Sequence, residues 1–180
     1  MEKIIVQSNT SKKNFIVLSI AVAAFAVLAA GSFYKWLALG MFQPLELMAE
    51  LLVLFVLVER MSAKYRYEMD KKVIRLSKRG LLGQVNHEIP YRDIFGVYRY
   101  KPQLIGVLKF RRTYRFHSAL DARDVWTLAF TVHKAKGKTE NRRFYFKPDD
   151  KLLAALQQKL PEKVMPEERI IQQVLSKEKD

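Results

Sequence analysis

The 180-residue chain contains no cysteine. This absence excludes disulfide bonds, thiolate zinc sites and cysteine nucleophiles. Acidic residues are also scarce, since 18 Asp and Glu stand against 32 Lys and Arg and the net charge is +14. A surface this positive attracts anionic lipid headgroups, nucleic acid or acidic protein faces.

The sequence also lacks the residue patterns of a catalytic or metal site. Metal-ligand spacing is absent among the histidines His87, His117 and His133. Asp121 and Asp124 are three residues apart, which is more typical of a turn than of an acid–base pair. Gly80–Gly83 lacks the Lys-Ser/Thr of a phosphate-binding loop. We therefore predict no enzymatic activity and no cofactor.

Long apolar runs are present instead, in the first third of the chain. Residues 15–34 contain no charged side chain, and about 20 apolar residues are enough for a helix to cross the hydrocarbon core. Backbone polar groups in lipid must bond internally, so this run predicts a spanning helix. A second run, Leu45–Met61, follows a reversal at Gly40 and Pro44. The prediction is a transmembrane helical hairpin over 15–62, preceded by a segment 1–14.

The second run carries two carboxylates, Glu46 and Glu50, one helical turn apart. One interpretation places both at the outer interface, where Lys35 is near enough to pair with one of them. The other makes them a contact for a partner helix or an ion path within the membrane.

Two alternatives to a membrane hairpin fit part of the pattern. The runs are compatible with a buried hairpin of a soluble protein, but their length and adjacency favour the membrane. The first run also resembles a signal peptide with a cleavage site at Ala29-Ala30-Gly31. Its length, and the second run after it, again favour a span.

Basic residues flank the two runs on one side. They are Lys3, Lys12 and Lys13 before the first run, and Arg60, Lys64 and Arg66 after the second. The connecting loop has only Lys35. Because positive residues favour the cytoplasmic side, we predict a multi-pass protein of the plasma (inner) membrane with both termini cytoplasmic.

From residue 63 the apolar residues recur with period two, which is typical of half-buried strands. The predicted strands cover 64–69, 72–78, 84–89, 94–100, 108–117, 126–132 and 142–147. The last two should form a hairpin around Gly137. A helix, Asp149–Leu160, should then cap the sheet with a stripe of leucines. This organisation defines a cytoplasmic domain over 63–160.

Residues 161–180 form a tail after Pro161. Pro166–Lys177 has the apolar spacing of a short amphipathic helix. It is expected either to pack against the domain or to bind a partner.

A Gly-Leu-Leu-Gly turn at 80–83 is followed by Ile89-Pro90-Tyr91, Ile94 and Val97. In this order the residues resemble those of bacterial pleckstrin-homology-like (PH-like) domains, over roughly 65–160. The resemblance implies a bent, seven-stranded antiparallel sheet in two layers, capped by a C-terminal helix. Family members often carry one or two N-terminal membrane helices. The matched positions are structural, so the resemblance assigns no binding residue.

The candidate binding residues are three groups of cations in the domain. They are Lys78 and Arg79; Lys109, Arg111, Arg112 and Arg115; and Lys134, Lys136, Lys138, Arg142 and Arg143. They either contact anionic lipid or an acidic partner, or they form a solvated surface. The aromatics between them belong to the core face and no nucleic-acid-binding motif is present, which argues against nucleic acid.

These observations predict a membrane-anchored, non-enzymatic binding or scaffold module at the cytoplasmic face. Its expected partners are anionic headgroups, another protein or a second copy of the chain. The alternative is an accessory subunit of a transporter or export machine, contacting its partner through the helices and Glu46 and Glu50.

Overall fold

The computed structural model describes residues 4–41, 43–102, 108–134, 137–166 and 168–172. Two long helices are packed together near the N-terminus: α1 (Lys12–Leu39) and α2 (Pro44–Ser62). Gly40 ends α1 in the left-handed region at φ 66°, which glycine adopts without strain. Pro44 is the first residue of α2, where its missing N–H has no helical partner to lose. The predicted reversal is therefore confirmed.

Most apolar side chains of these helices face outward rather than into a core. Val27 is 71% exposed and Leu45 is 82% exposed. By length and composition, α1 alone among the described helices qualifies to cross a membrane, with a mean hydropathy of 2.4. The second predicted span does not meet the same test, because α2 contains Glu46, Glu50, Glu59 and Arg60.

The described residues outside these helices form two four-stranded sheets and a third helix. The first sheet has the order β1 (Ile4–Gln7), β2 (Lys64–Met69), β3 (Val73–Gly80) and β4 (Gly83–Pro90). The strands of the second sheet are β5 (Ile94–Arg99), β6 (Arg112–Arg115), β7 (Trp126–His133) and β8 (Thr139–Phe146). Their spatial order is β5-β7-β8-β6. Helix α3 (Asp150–Lys159) follows.

The predicted class, helices plus an α+β domain with a C-terminal helix, is confirmed at this level, and the seven strands predicted within 63–160 are present as β2 to β8. One additional strand was not predicted: β1 precedes the helices and pairs with β2 from Ile4↔Met69 to Gln7↔Arg66. A four-residue strand has too short a pattern to identify alone. It is stable here because β2 supplies its hydrogen bonds.

The prediction of a fully antiparallel sheet is wrong. Strand β6 pairs with β8 in parallel, from Arg112↔Arg142 to Arg115↔Tyr145. Between them the chain passes through β7, which gives the long connection that a parallel pair requires. The β7–β8 hairpin itself is confirmed, with pairs from Trp126↔Phe146 to His133↔Thr139.

The predicted strand 108–117 is shorter than expected. Only Arg112–Arg115 is a strand, and the aromatics around it separate into two clusters. Phe116 and Tyr114 pack in the main core, whereas Phe110 stacks on Phe95 at 6.2 Å in a smaller cluster. A bend before β6 thus divides residues that a straight strand would place on one face.

The main core lies between the two sheets and beneath α3. Asp149 caps α3 as predicted, since its Oδ1 accepts a 2.8 Å hydrogen bond from the N–H of Leu152. The side chains of Leu152 and Leu156, on the inner face of α3, are fully buried. Tyr67 crosses the core and donates a 2.8 Å hydrogen bond to the carbonyl of Phe116.

The described part of the tail packs against the domain. The N–H of Val97 donates to the carbonyl of Lys163 at 2.7 Å, and Val97 forms a parallel bridge with Val164. Residues 168–172 are helical, and Ile170 is fully buried beside Gly96. The tail therefore covers the edge of β5 that β7 leaves free, while the rest of the predicted helix Pro166–Lys177 lies outside the described residues.

Candidate functional site

A cleft of about 370 Å³ lies where the two long helices meet the first sheet. We call it the juxtamembrane cleft. Its walls come from the link between β1 and α1, the end of α2, the adjoining ends of β2, β3 and β4, and a loop before β7. The lining residues are Gln7, Ser8, Thr10, Met61, Ala63, Lys64, Tyr65, Arg66, Ser77, Arg79, Gln84, Ser118 and Leu120.

Two cations stand directly opposite each other in this cleft. Lys64 on β2 is the cross-strand partner of Arg79 on β3. Like charges at opposed positions destabilise a sheet unless an anion separates them. Neither side chain has a carboxylate within ion-pair distance among the described residues.

The third cation of the cleft, Arg66, is already paired. Its Nε lies 2.5 Å from Oε1 of Glu68, whose other oxygen is 3.5 Å from Arg75. Neutral polar groups complete the floor, because Ser77 is opposite Arg66 and Gln84 is opposite Arg79. Lysine as a point charge, arginine as a fork and nearby hydroxyl and amide groups suit a phosphate.

A second, smaller pocket of about 170 Å³ adjoins the cleft, and Tyr65 lines both. Its other lining residues are Arg60, Arg115, His117 and Ala119. Burial lowers the pKa of His117, and the nearby charge of Lys147 lowers it further. The imidazole is therefore neutral at pH 7, and the positive charge of this pocket comes from its two arginines.

The link between β1 and α1 is held by hydrogen bonds to β2 and to the loop before β7. The N–H of Ser8 donates to the carbonyl of Tyr65 at 2.8 Å. The N–H of Asn9 donates to Oδ2 of Asp121 at 3.0 Å, and the N–H of Ser11 donates to the carbonyl of Leu120 at 2.8 Å. One wall of the cleft is thus ordered by long-range contacts.

Asp121 is the centre of this arrangement and is fully buried. Its Oδ1 accepts from the N–H of Arg123 at 3.0 Å, which is the turn contact expected from the sequence. The Arg123 guanidinium also donates to the carbonyl of Gln7 at 3.0 Å. Burial disfavours the charged carboxylate, but the hydrogen bonds from Arg123 and Asn9 outweigh it and lower the pKa of Asp121.

Three of the predicted binding residues contact one carboxylate. Glu140 on β8 lies 3.1 Å from Arg111 and 3.0 Å from Arg142, and it also pairs with Lys134. We call these four residues the Glu140 cluster. Lys134 foremost, with Arg142 and Arg111, lowers the pKa of Glu140 to about 2. The cluster is therefore an ion-pair network within the chain in which three cations share one carboxylate.

Two further predicted cations are also committed to contacts within the chain. The Arg143 guanidinium lies 4.6 Å from the ring centre of Phe110 and donates to Oγ1 of Thr113 at 2.9 Å. Lys78 pairs with Glu59 at 2.9 Å. The exposed side chains of Lys109, Arg112 and Lys138 have no ion pair among the described residues, and Lys136 lies outside those residues.

Among the predicted cations that the structure describes, only Arg79 and Arg115 line the two pockets. The residues that sequence reasoning missed as ligands are Arg60, Lys64 and Arg66. They directly follow the second apolar run, and we used them only to predict orientation. Their position directly after an apolar run was the signal that could have added them to the candidate anion-binding residues.

Glu50 lies between the two long helices. The Ser32 hydroxyl donates to its Oε1 at 3.1 Å, whereas its Oε2 is buried without a hydrogen-bond partner in the described structure. Glu46 is exposed, and neither carboxylate forms an ion pair with Lys35.

Comparison of the chain with protein-family models gives no match, and comparison with curated proteins gives no significant match. The resemblance to PH-like domains therefore stays a prediction from the sequence. Within the described ranges, no group of three or more His, Asp or Glu side chains is placed to hold a metal ion.

Proposed function

We propose that the protein is a membrane-anchored binding module that holds anionic lipid headgroups in its juxtamembrane cleft. The observation that carries this proposal is the opposed pair Lys64 and Arg79, which has no described carboxylate partner. An anionic headgroup placed between them would remove their repulsion and gain two charge-assisted contacts.

The proposed anchor has two spans. Strand β1 precedes α1 and β2 follows α2, yet the two strands are hydrogen-bonded neighbours. They must lie on the same side of a membrane, so the intervening chain crosses it an even number of times. If α1 crosses, α2 has to return, and the outward-facing apolar side chains of both helices support this. Cleavage at Ala29-Ala30-Gly31, within α1, would separate β1 from its sheet, which argues against a signal peptide.

This topology supports placing the cleft at headgroup level. Met61 lines it in the last turn of α2, Lys64 lines it at the start of β2, and Thr10 lines it just before α1. The basic residues next to both helix ends support a cytoplasmic location. Each Lys or Arg near an anionic leaflet contributes about 1 kcal/mol to binding.

The test is lipid selectivity of the full-length protein. The protein is placed in nanodiscs containing equal amounts of phosphatidylcholine and phosphatidylglycerol, then released into mild detergent, and the retained lipids are counted by native mass spectrometry. We expect phosphatidylglycerol to be retained preferentially. The triple variant Lys64→Gln, Arg66→Gln and Arg79→Gln should lose that preference.

The matched control removes equal charge from the other end of the first sheet. Lys71→Gln and Lys72→Gln alter the exposed β2–β3 turn, and Arg92→Gln alters the turn that follows β4. This triple variant should keep the preference. Equal retention of both lipids by the unmodified protein would refute the headgroup site.

Glu50 supports a second candidate, a subunit that contacts a partner through its helices. A buried carboxylate oxygen without a partner is costly in lipid. Co-purification from native membranes distinguishes the two candidates. A stoichiometric membrane partner that is lost with Glu50→Gln, but kept in the Lys64, Arg66 and Arg79 variant, would favour this candidate.

A further inference from the structure

Apolar side chains are exposed at one turn of the otherwise polar domain surface. Leu82 is 79% exposed, Leu81 is 56% exposed and Val85 is 48% exposed. Among the described residues outside 11–62, the only other large hydrophobic side chain exposed to this degree is Ile5. We call Leu81, Leu82 and Val85 the apolar tip, since they lie in or beside the turn between β3 and β4.

The chain holds this turn in a defined conformation. Gly80 and Gly83 are cross-strand partners, so Leu81 and Leu82 alone form the loop. Gly83 has φ 107°, a conformation that side-chain-bearing residues rarely adopt. Two consecutive leucines thus occupy the most projecting positions of a tight hairpin.

The turn is fastened to the last part of α2 through Glu59. Oε2 of Glu59 accepts a 2.7 Å hydrogen bond from the N–H of Leu81, and Oε1 lies 2.9 Å from Nζ of Lys78. The approach is close, because a Cβ atom at Gly80 would lie 2.3 Å from Oε1. Glycine at position 80 is therefore needed for this contact.

This contact sets the height of the tip relative to the helix. Glu59 precedes the last residue of α2, Ser62, by three residues, or about 4.5 Å along the axis. Phe55, one turn earlier on the same face, is 43% exposed. The tip consequently lies beside the final turn of α2 and next to its outward-facing apolar surface.

We propose that the apolar tip inserts into the interfacial layer of the bilayer and fixes the tilt of the domain on its anchor. The inference rests on the proposed two-span topology but not on the headgroup site. Insertion would also bring Arg79, next to the turn, to the level of the lipid phosphates. The tip would then explain why the cleft faces the membrane.

The chain has no cysteine, so a single introduced cysteine gives a unique label site. A spin label at Leu82→Cys in the full-length protein is compared, in phosphatidylcholine nanodiscs, with labels at Lys71→Cys and Phe55→Cys. Collision rates with oxygen and with a water-soluble nickel complex report depth. We expect the ratio of oxygen to nickel accessibility at position 82 to be severalfold above that at 71 and nearer to that at 55.

Equal ratios at positions 82 and 71 would overturn the inference. A second measurement guards against a local effect of the label. With the label at Val85→Cys, the variant Leu81→Ser and Leu82→Ser should lower the ratio toward the value at 71, and an unchanged ratio would count against insertion.

The outcome is separable from that of the headgroup site. If the Lys64, Arg66 and Arg79 positions prove to have no lipid preference, a deep label at 82 still supports the tip. If the label at 82 is in water while lipid preference is present, the tip is wrong and the cleft stands.

Discussion

The Glu140 cluster and the juxtamembrane cleft contain the same kinds of cation but differ in whether a carboxylate lies between those cations. In the cluster, one carboxylate contacts Arg111, Lys134 and Arg142. In the cleft, Lys64 and Arg79 face each other without a described carboxylate partner. The density of basic residues along the sequence therefore identifies positive surface, whereas the tertiary pairing decides which part of it is free to bind an anion.

The largest expected effect is on lipid selectivity. Lys64→Gln with Arg79→Gln removes about 2 kcal/mol of headgroup attraction, which corresponds to a roughly 30-fold loss of preference for phosphatidylglycerol. The charge-matched pair Arg111→Gln with Lys134→Gln should change it less than about twofold, since neither residue lines the cleft and both contact Glu140. Native mass spectrometry of the full chain measures both. Equal losses of phosphatidylglycerol preference in the two variants would show that the cleft binds headgroups no better than the Glu140 cluster does.

A smaller effect is expected on folding when the cluster loses a cation. Arg142 is largely buried and also donates to the hydroxyl of Tyr114 at 3.3 Å. Arg142→Gln should lower the free energy of unfolding by about 1–2 kcal/mol, measured by urea titration in nanodiscs with tryptophan fluorescence. The exposed control Lys138→Gln should stay within about 0.5 kcal/mol of the unmodified chain. A comparable loss in both would indicate that the network does not stabilise the domain.

The next effect in size is the loss of stability that follows when acid protonates Glu140. The pKa of Glu140 is about 2 in the folded chain, below its ordinary value of 4.5. Its stabilisation is therefore complete above the ordinary value and is lost as pH falls from there toward 2. Thermal unfolding between pH 7 and pH 4 reaches only the start of this loss, so the decrease in Tm should be small and should steepen below pH 4.

The variant Glu140→Gln should lower Tm at pH 7. It should also make the decrease of Tm with falling pH, the acid limb of the curve, less steep. Glu162→Gln, which removes an exposed carboxylate, provides the control and should leave the steepness of the acid limb unchanged. An acid limb as steep in Glu140→Gln as in the unmodified chain would assign the acid sensitivity elsewhere, with buried Asp121 as the next group to test because its pKa is also lowered.

The smallest effect concerns the free energy that repulsion between Lys64 and Arg79 costs when no anion is bound. In phosphatidylcholine nanodiscs without anionic lipid, Lys64→Gln should raise the free energy of unfolding by about 0.2–1 kcal/mol, because it removes repulsion from Arg79. Lys72→Gln in the exposed β2–β3 turn should leave it unchanged. Destabilisation by Lys64→Gln would mean that this lysine stabilises the fold through its own contacts.

The sequence predicted elements whose patterns are local. The bounds of β2 and the positions of Gly40, Pro44 and Asp149 follow from alternation, helix ending and capping, and the structure confirms them. Strand β1 could not be predicted, since its four residues become a strand only through pairing with β2. The candidate site was predicted in part: Arg79 and Arg115 were named as ligands, while Lys64 was used only for orientation.

The sequence by itself determined where apolar surface is long enough for a membrane helix, where strands alternate and how basic the domain is, because each depends on neighbouring residues. Only the tertiary structure decided which charges pair, that β6 runs parallel to β8, and that Leu81 lies beside Glu59. These features join residues that are distant along the chain. Their energies depend on distances that no local pattern specifies.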